Sequence, residues 1–435
     1  RLSGLCQMSH FPTAVQRYLD KRVSKGPWTV TGAENRSFTG AVVIPSLAEA
    51  DSLFATLQSL EANPAQWRDS FLVLVVVNHG EQACDEEKQQ DLQDLTRLIE
   101  YSAESTLPLA WIDAASPGLE IPTKQAGVGF VRKLGMDFAL TCLDWQKEPL
   151  LVCLDADTLV EPNYLQTIVT HFQQSPLGAA VLPFRHQKAG DALKQAAIER
   201  YELFMRSYVY GLRLAGSPYA FNSVGSAIAC RAEAYVRCGG MNNRKAGEDF
   251  YFLQKLAKTD GVDRMTGTRV FPEPRVSSRV PFGTGRSMGR LMEGDTESVL
   301  FYPVAAFEIL SGWLLNVTQN MAADADLLFS RAEKISAVLA DYLVQIDWHA
   351  TWPKLQKNHP TEKGRAEAFH SWFDGFRTLR LIHLLCDAGL SRGEPQEMLP
   401  AFFTWDGRGC PKTVPAMLEE LRLCDQPSVT TSHNE

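Results

Sequence analysis

Two aspartates one residue apart, in Asp155-Ala156-Asp157-Thr158, follow directly on the apolar run Leu150-Leu151-Val152-Cys153-Leu154. A run of that length and composition reads as a buried strand, so the acids stand at a strand's carboxyl end, where open α/β sheets bind ligands. Two carboxylates at close quarters do not both stay ionised without a compensating cation. A hard divalent ion, Mg²⁺ or Mn²⁺, satisfies both with oxygen ligands, bridges to diphosphate oxygens and stabilises the charge on a departing nucleotide. The same residues would equally suit the cap of a following helix. A second acidic pair, Glu248-Asp249, precedes the apolar Phe250, Tyr251, Phe252 and Leu253. By itself it reads as a helix start favoured by the macrodipole.

Basic residues gather at two further places. In Gly127-Val128-Gly129-Phe130-Val131-Arg132-Lys133 the glycines permit close backbone approach. The amides of a helix N-terminus there, helped by Lys124, Arg132 and Lys133, would attract phosphate; the alternative is a tight turn with a solvated basic face. Residues 275–286 combine Arg275, Arg279 and Arg286 with Gly283 and Gly285. That composition suits a closing lid in which Arg279 or Arg286 clamps a diphosphate, or an interdomain linker.

The elements that must position these groups follow a βα rhythm. Strands are expected at residues 41–45, 71–77, 109–112, 150–154 and 179–182, with helices at 52–61, 86–101, 124–143 and 163–172. An amphipathic helix is expected at 11–23 within an N-terminal arm, residues 1–40. Beyond Met292 the pattern turns helical, with segments at 298–319, 324–346, 363–388 and 414–423. The expected division is therefore an α/β catalytic domain at 41–291, a helical subdomain at 292–424 and a mobile tail at 425–435, in keeping with a length of 435 residues. Trp348, Trp352, Trp372 and Phe373 of the helical part would either stack on sugar rings or, as the spacing favours, pack into a core.

The acidic triplet, its strand and the following Leu159-Val160-Glu161-Pro162-Asn163-Tyr164-Leu165 resemble the central segment of family 2 glycosyltransferases of the GT-A fold. The resemblance extends upstream to Val42-Val43-Ile44-Pro45 with Glu49, and to Val75-Val76-Val77-Asn78. It extends downstream to Asn222-Ser223-Val224-Gly225-Ser226, Gly239-Gly240-Met241 and Gly247-Glu248-Asp249. It covers about residues 41–290 and implies a mostly parallel, Rossmann-like catalytic sheet. It also implies transfer of a sugar from a UDP- or GDP-linked donor to an acceptor hydroxyl. By the resemblance Asp157 ligates Mn²⁺ or Mg²⁺, and Asp155 contacts the ribose or the metal through water. Pro45, Glu49, Asn78, Lys124, Gly129, Arg132, Arg279 and Arg286 line the donor site. Asp249 is the base of an inverting reaction, oriented by Glu248. Asn78 replaces the family's usual acid at the base site, and no histidine lies between His186 and His349 to serve as the further metal ligand common in the fold.

Three other readings share parts of this pattern. One is a retaining transferase resembling mannosylglycerate synthase, in which Asp249 positions sugar or acceptor. Another is a sugar nucleotidyltransferase, which the loop Pro45-Ser46-Leu47-Ala48-Glu49-Ala50 opposes because it lacks glycine and arginine. The third is a non-catalytic nucleotide-binding scaffold. A net charge of -8 argues against unselective nucleic-acid binding. Nine scattered cysteines without a Cys-x-x-Cys pair read as reduced thiols of a cytoplasmic protein. Residues 301–317, interrupted by Glu308, are too short for a transmembrane anchor.

Overall fold

The structure is a computed structural model that describes residues 11–33, 37–277, 279 and 283–425. The chain divides into two compact units: Arg1–Gly190 with Ser223–Arg286, and Asp191–Asn222 with Ser287–Glu435.

The first unit is built on ten strands: β1 (Val30–Thr31), β2 (Gly40–Ser46), β3 (Phe71–Asn78), β4 (Leu109–Ala114), β5 (Leu150–Cys153), β6 (Thr158–Val160), β7 (Ala179–Val181), β8 (Ile228–Arg231), β9 (Val262–Arg264) and β10 (Val270–Pro272). Eight form one sheet in the order β1-β4-β3-β2-β5-β8-β7-β9, while β6 and β10 form a separate ribbon. Strands β4, β3, β2 and β5 run parallel, with Gly40 opposite both Phe71 and Leu150. Strand β8 runs antiparallel to β5 and β7. All eight residues of β3 are buried, as a parallel strand covered on both faces requires. The five strands expected at 41–45, 71–77, 109–112, 150–154 and 179–182 are all present, with ends shifted by at most two residues. Strands β1, β6, β9 and β10 have two or three residues each, too few to show a period.

The helices of this unit are α1 (Thr13–Lys21), α2 (Asp51–Glu61), α3 (Ala65–Arg68), α4 (Asp85–Glu104), α5 (Val128–Ala139) and α6 (Tyr164–Gln174). Helix α7 (Ala192–Leu214) belongs to the second unit, and α8 (Ala232–Arg237) and α9 (Glu248–Thr259) return to the first. The helix expected from residue 124 starts at Val128 instead, because a turn at residues 122–126 precedes Gly127. Helix α1 is fastened to α5 through the buried carboxylate of Asp137. Its oxygens accept hydrogen bonds from the Tyr18 and Tyr235 hydroxyls at 2.8 Å, the Ser24 N–H at 2.8 Å and Lys133 Nζ at 2.5 Å. Asp137→Ala strands these donors in a dry site and should lower the unfolding free energy by about 3 kcal/mol, read from denaturant titration.

The second unit is helical. After α7 the chain returns to it within α10 (Thr284–Met292), and α11 (Val304–Thr318), α12 (Ala325–Ile335), α13 (Ala337–Gln345), α14 (Trp348–Asn358), α15 (Glu362–Trp372), α16 (Gly375–Asp387), α17 (Pro395–Trp405) and α18 (Val414–Cys424) follow. The single helices expected at 324–346 and 363–388 are each two helices. Ser336 and Asp374 leave helical geometry and cap the second of each pair, accepting from the Leu339 N–H and from the Phe376 and Arg377 N–H groups. Helices α14 and α17 carry Pro353 and Pro400 internally, a composition that reads as a break in sequence. The expected boundary at 291 differs from the observed division in that residues 191–222, with the whole of α7, cluster with the helical unit. Trp313, Trp348 and Trp352 are fully buried, with the Trp313 and Trp348 rings 4.9 Å apart edge to face, so these three are core, and Trp372 packs half-buried against them. Of the tail expected at 425–435, Asp425 pairs with Arg206, and residues 426–435 lie outside the described residues. Cys6 does too, and no disulfide joins the eight described cysteines to one another. Among the described residues no helix is long and apolar enough to cross a membrane.

Candidate active site

The crevice is set by strand order. From β2 the chain moves one way to β3 and β4, while β5 lies on β2's other side, so the loops after β2 and β5 diverge at the carboxyl edge. Ligands bind at such a switch point in open α/β sheets. The loop after β2 carries Pro45 and Glu49, and the loop after β5 carries Asp155 and Asp157. Helix α2 ties the two together through the Thr56 hydroxyl, which donates to the Ala156 carbonyl at 2.9 Å. Asn78 ends β3. Its amide donates to the carbonyls of Ser46 at 2.8 Å and Val76 at 3.2 Å, and its side-chain oxygen accepts no hydrogen bond among the described residues.

Arg132, on α5, is 3% exposed and is expended inward. It pairs with Asp155, donates through Nε to Glu248 at 3.2 Å and through one terminal nitrogen to the Gly225 carbonyl at 2.9 Å. It is therefore a strut joining the strand-end acids to the Glu248-Asp249 element, where the sequence suggested a diphosphate contact. Burial works against its charge, yet Asp155 and Glu248 together raise its pKa and keep it cationic. The glycines serve the same internal packing. A Cβ on Gly129 would stand 2.4 Å from the Arg244 carbonyl oxygen and 2.9 Å from the Glu248 Cβ, and one on Gly225 would stand 2.4 Å from an Arg132 nitrogen. Gly129, expected to let a phosphate approach, instead lets the chain's own residues 242–248 lie across the start of α5.

A second arginine was not singled out from sequence. Arg275 embraces both oxygens of Glu49, one at 2.7 Å, and its Nε lies 3.0 Å from Asp157 Oδ2. Arg279 adds a bond to Glu49 at 2.9 Å. The position of Arg275, three residues after the β6–β10 ribbon that starts directly behind Asp157, explains its placement: β10 runs antiparallel to β6 and returns the chain to the triplet. Residues 278 and 280–282 of the expected lid lie outside the described residues. Lys124 is exposed on its turn and Arg286 is exposed at the start of α10. The structure thus assembles Glu49, Arg132, Asp155, Asp157, Glu248, Asp249 and Arg279 through shared contacts, with Arg275 added and with Lys124 and Arg286 apart.

The acids are electrostatically crowded. Burial raises Asp157 to about 7, with Arg275 opposing and Asp155, Glu49 and Glu273 adding to the rise. Burial and then Glu248 raise Asp249 to about 7, despite a 2.7 Å hydrogen bond from the Phe250 N–H. Burial also raises Glu248, and takes Asp91 on α4 to about 8. A carboxyl raised on folding binds its proton more tightly in the native state, so its contribution is full at low pH and lost as pH rises through the folded value. Four histidines lowered by burial, His79, His171, His370 and His383, act in the opposite sense only below their unperturbed value of 6.5. The melting temperature of the ligand-free protein should accordingly fall between pH 6.5 and pH 8, measured by calorimetry in matched ionic strength.

Asp155 and Asp157 supply the hard oxygen donors that Mg²⁺ or Mn²⁺ prefers, and Asp155 keeps 33% of its side chain exposed. Among the described residues no group of three or more His, Cys, Asp or Glu is arranged to hold a metal. The two carboxylates are the residues that would hold such a cation, with Asp157 Oδ2 facing Arg275 Nε.

Residues 150–323 match the model of glycosyl transferase family group 2, a segment that contains the triplet, Gly225 and the Glu248-Asp249 pair. No curated protein matches the chain. Among solved structures, TarS residues 1–349 from S. aureus in complex with UDP-GlcNAc is similar at 12% identity and a TM-score of 0.38, covering 78% of this chain and 92% of that one. The mannosyltransferase PcManGT from Pyrobaculum calidifontis in complex with GDP-Man and Mn²⁺ is similar at 16% identity and a TM-score of 0.35, covering 94% and 92%.

Proposed function

We propose that this chain, whose residues 150–323 match the family group 2 glycosyl transferase model, is a glycosyltransferase that moves a sugar, with inversion, from a UDP- or GDP-linked donor to an acceptor hydroxyl. The carrying observation is Arg132, which bonds Asp155 and Glu248 at once and so draws the diphosphate-end acids and the Glu248-Asp249 pair into one cluster. Donor chemistry and proton removal must occur within a few ångströms of each other, and this strut supports that arrangement.

In this reading Asn78 offers its side-chain oxygen to the base. Arg275 and Arg279, now on Glu49, exchange that carboxylate for diphosphate oxygens, a match that suits planar guanidinium groups. Asp157 and Asp155 would hold Mn²⁺ or Mg²⁺, which when bound draws charge from the departing diphosphate. Asp249 takes the proton of the attacking hydroxyl, and Glu248, held by Arg132, lies beside it and raises its proton affinity. A pKa of about 7 leaves Asp249 able to accept a proton at neutral pH while still favouring its transfer.

The decisive experiment is thermal stabilisation by UDP, GDP, UDP-GlcNAc and GDP-Man, each with Mn²⁺, Mg²⁺ or chelator. One base should raise the melting temperature in a metal-dependent way, because selective binding to the native state stabilises it. Absence of any shift at millimolar nucleotide would sink the donor reading. Proton NMR of the first-formed product tests the stereochemistry, and a retained anomeric configuration would remove Asp249 from the role of base.

A further inference from the structure

The loop after β2 is held by an unusual device. Three successive main-chain N–H groups point into α4 and are accepted by two carboxylates one helical turn apart. Ala48 donates to Asp91 Oδ1 at 2.7 Å, and Glu49 and Ala50 donate to Asp94 Oδ2 at 3.1 and 3.0 Å. Both aspartates are fully buried. Their remaining oxygens are occupied as well, Asp91 Oδ2 by His79 Nδ1 at 3.1 Å and Asp94 Oδ1 by Gln90 at 2.8 Å. Buried helix positions ordinarily carry apolar side chains, and solitary buried carboxylates are disfavoured unless they are fully bonded. Stability alone would be better served by leucine at either site together with a relaxed loop.

The loop is not relaxed. Ala48 and Ala50 have φ of 48° and 47°, a region that side chains with a Cβ disfavour. That backbone persists because the carboxylates take its N–H groups. Its consequence is the direction of Glu49, whose side chain is 5% exposed and lies against Arg275 and Arg279. We infer that Asp91 and Asp94 are positioning residues for the nucleoside-diphosphate donor: by fixing the strained Ala48-Glu49-Ala50 backbone they set Glu49 where it holds Arg275 and Arg279 ready for the diphosphate. The inference rests on the donor-site reading above and assigns it a supporting layer in α4. Neither aspartate touches donor. They act through Glu49.

The test compares Asp91→Ala, Asp94→Ala and Asp94→Asn with the wild type in hydrogen exchange of residues 47–52 and in steady-state kinetics with the nucleotide sugar that stabilises the protein. Asp94→Ala should speed exchange of that segment about tenfold or more and raise the donor KM about tenfold, with kcat within about threefold. Asp94→Asn keeps an acceptor oxygen and should stay within about threefold of the wild-type KM. Ala50→Gly placed on Asp94→Ala should recover part of the lost affinity, because glycine adopts this backbone without strain. Should Asp94→Ala not fold, that double variant serves in its place.

Unchanged exchange in both alanine variants overturns the proposal. So does a freed loop with an unaltered donor KM when Asp157→Ala in the same assay weakens donor, an outcome that leaves the donor site standing. If Asp157→Ala and Asp94→Ala both leave UDP and GDP binding untouched, the donor-site reading has failed and the positioning role falls with it.

Discussion

Asp249→Asn should retain donor binding and lose about 10²- to 10⁴-fold in kcat, the range that removal of a positioned general base produces. The substitution preserves shape and the acceptor for the Phe250 N–H, which donates to Asp249 Oδ1 at 2.7 Å. It removes only the capacity to take a proton. Burial and the neighbouring Glu248 have raised this carboxyl to about 7. For the wild type, kcat/KM should therefore drop about tenfold per unit below pH 7, where the base is protonated, and level off above it. The variant should lose that limb of the profile. A matching loss in Glu248→Gln would not follow, since Arg132 would keep Asp155 and the Gly225 carbonyl as partners and the cluster would hold its shape. A pH–rate profile unchanged in Asp249→Asn would exclude it as the base.

Asp157→Ala is expected to cost about 10²- to 10³-fold in kcat/KM and to abolish metal-dependent stabilisation by the nucleotide, about 2.7 kcal/mol at a ligand concentration a hundredfold above Kd. Its signature is that the ligand-free protein should melt no lower than the wild type. Burial holds Asp157 near pKa 7 beside Asp155, Glu49 and Glu273, so its ionised form is disfavoured in the folded chain. Removing it relieves that repulsion, while Arg275 keeps both oxygens of Glu49. Function lost without stability lost is the behaviour of a residue retained for chemistry. A variant that unfolds at lower temperature and still binds nucleotide with metal would place Asp157 in the scaffold instead.

Much of the first unit was legible in the order of residues because its signals are local. The buried run 150–154 makes a strand, and whatever follows it must stand at the strand's carboxyl end. Val42-Val43-Ile44 and residues 71–77 declare themselves by the same continuous apolar character. Where local signals mislead, the structure departs. Pro353 and Pro400 hide α14 and α17, and Ser336 and Asp374 divide helices that apolar periodicity joins, because a cap residue that accepts its own backbone N–H outweighs a continuous stripe.

The amino-acid sequence by itself determined the strand-end acids, the Glu248-Asp249 pair and the class of chemistry they allow, since residue type and the element carrying it suffice for that. Only the tertiary structure decided what each charge faces. Arg132 turns inward to Asp155 and Glu248, although its neighbours Gly127 and Gly129 read as a phosphate cradle; the cradle is filled by residues 242–248, more than a hundred positions away. Arg275 reaches Asp157 because β10 pairs with β6, and Asp91 and Asp94 hold Glu49's loop from a helix that sequence marks only as amphipathic. Such pairings depend on long-range register and on which buried charge finds a partner, and a linear pattern does not carry either.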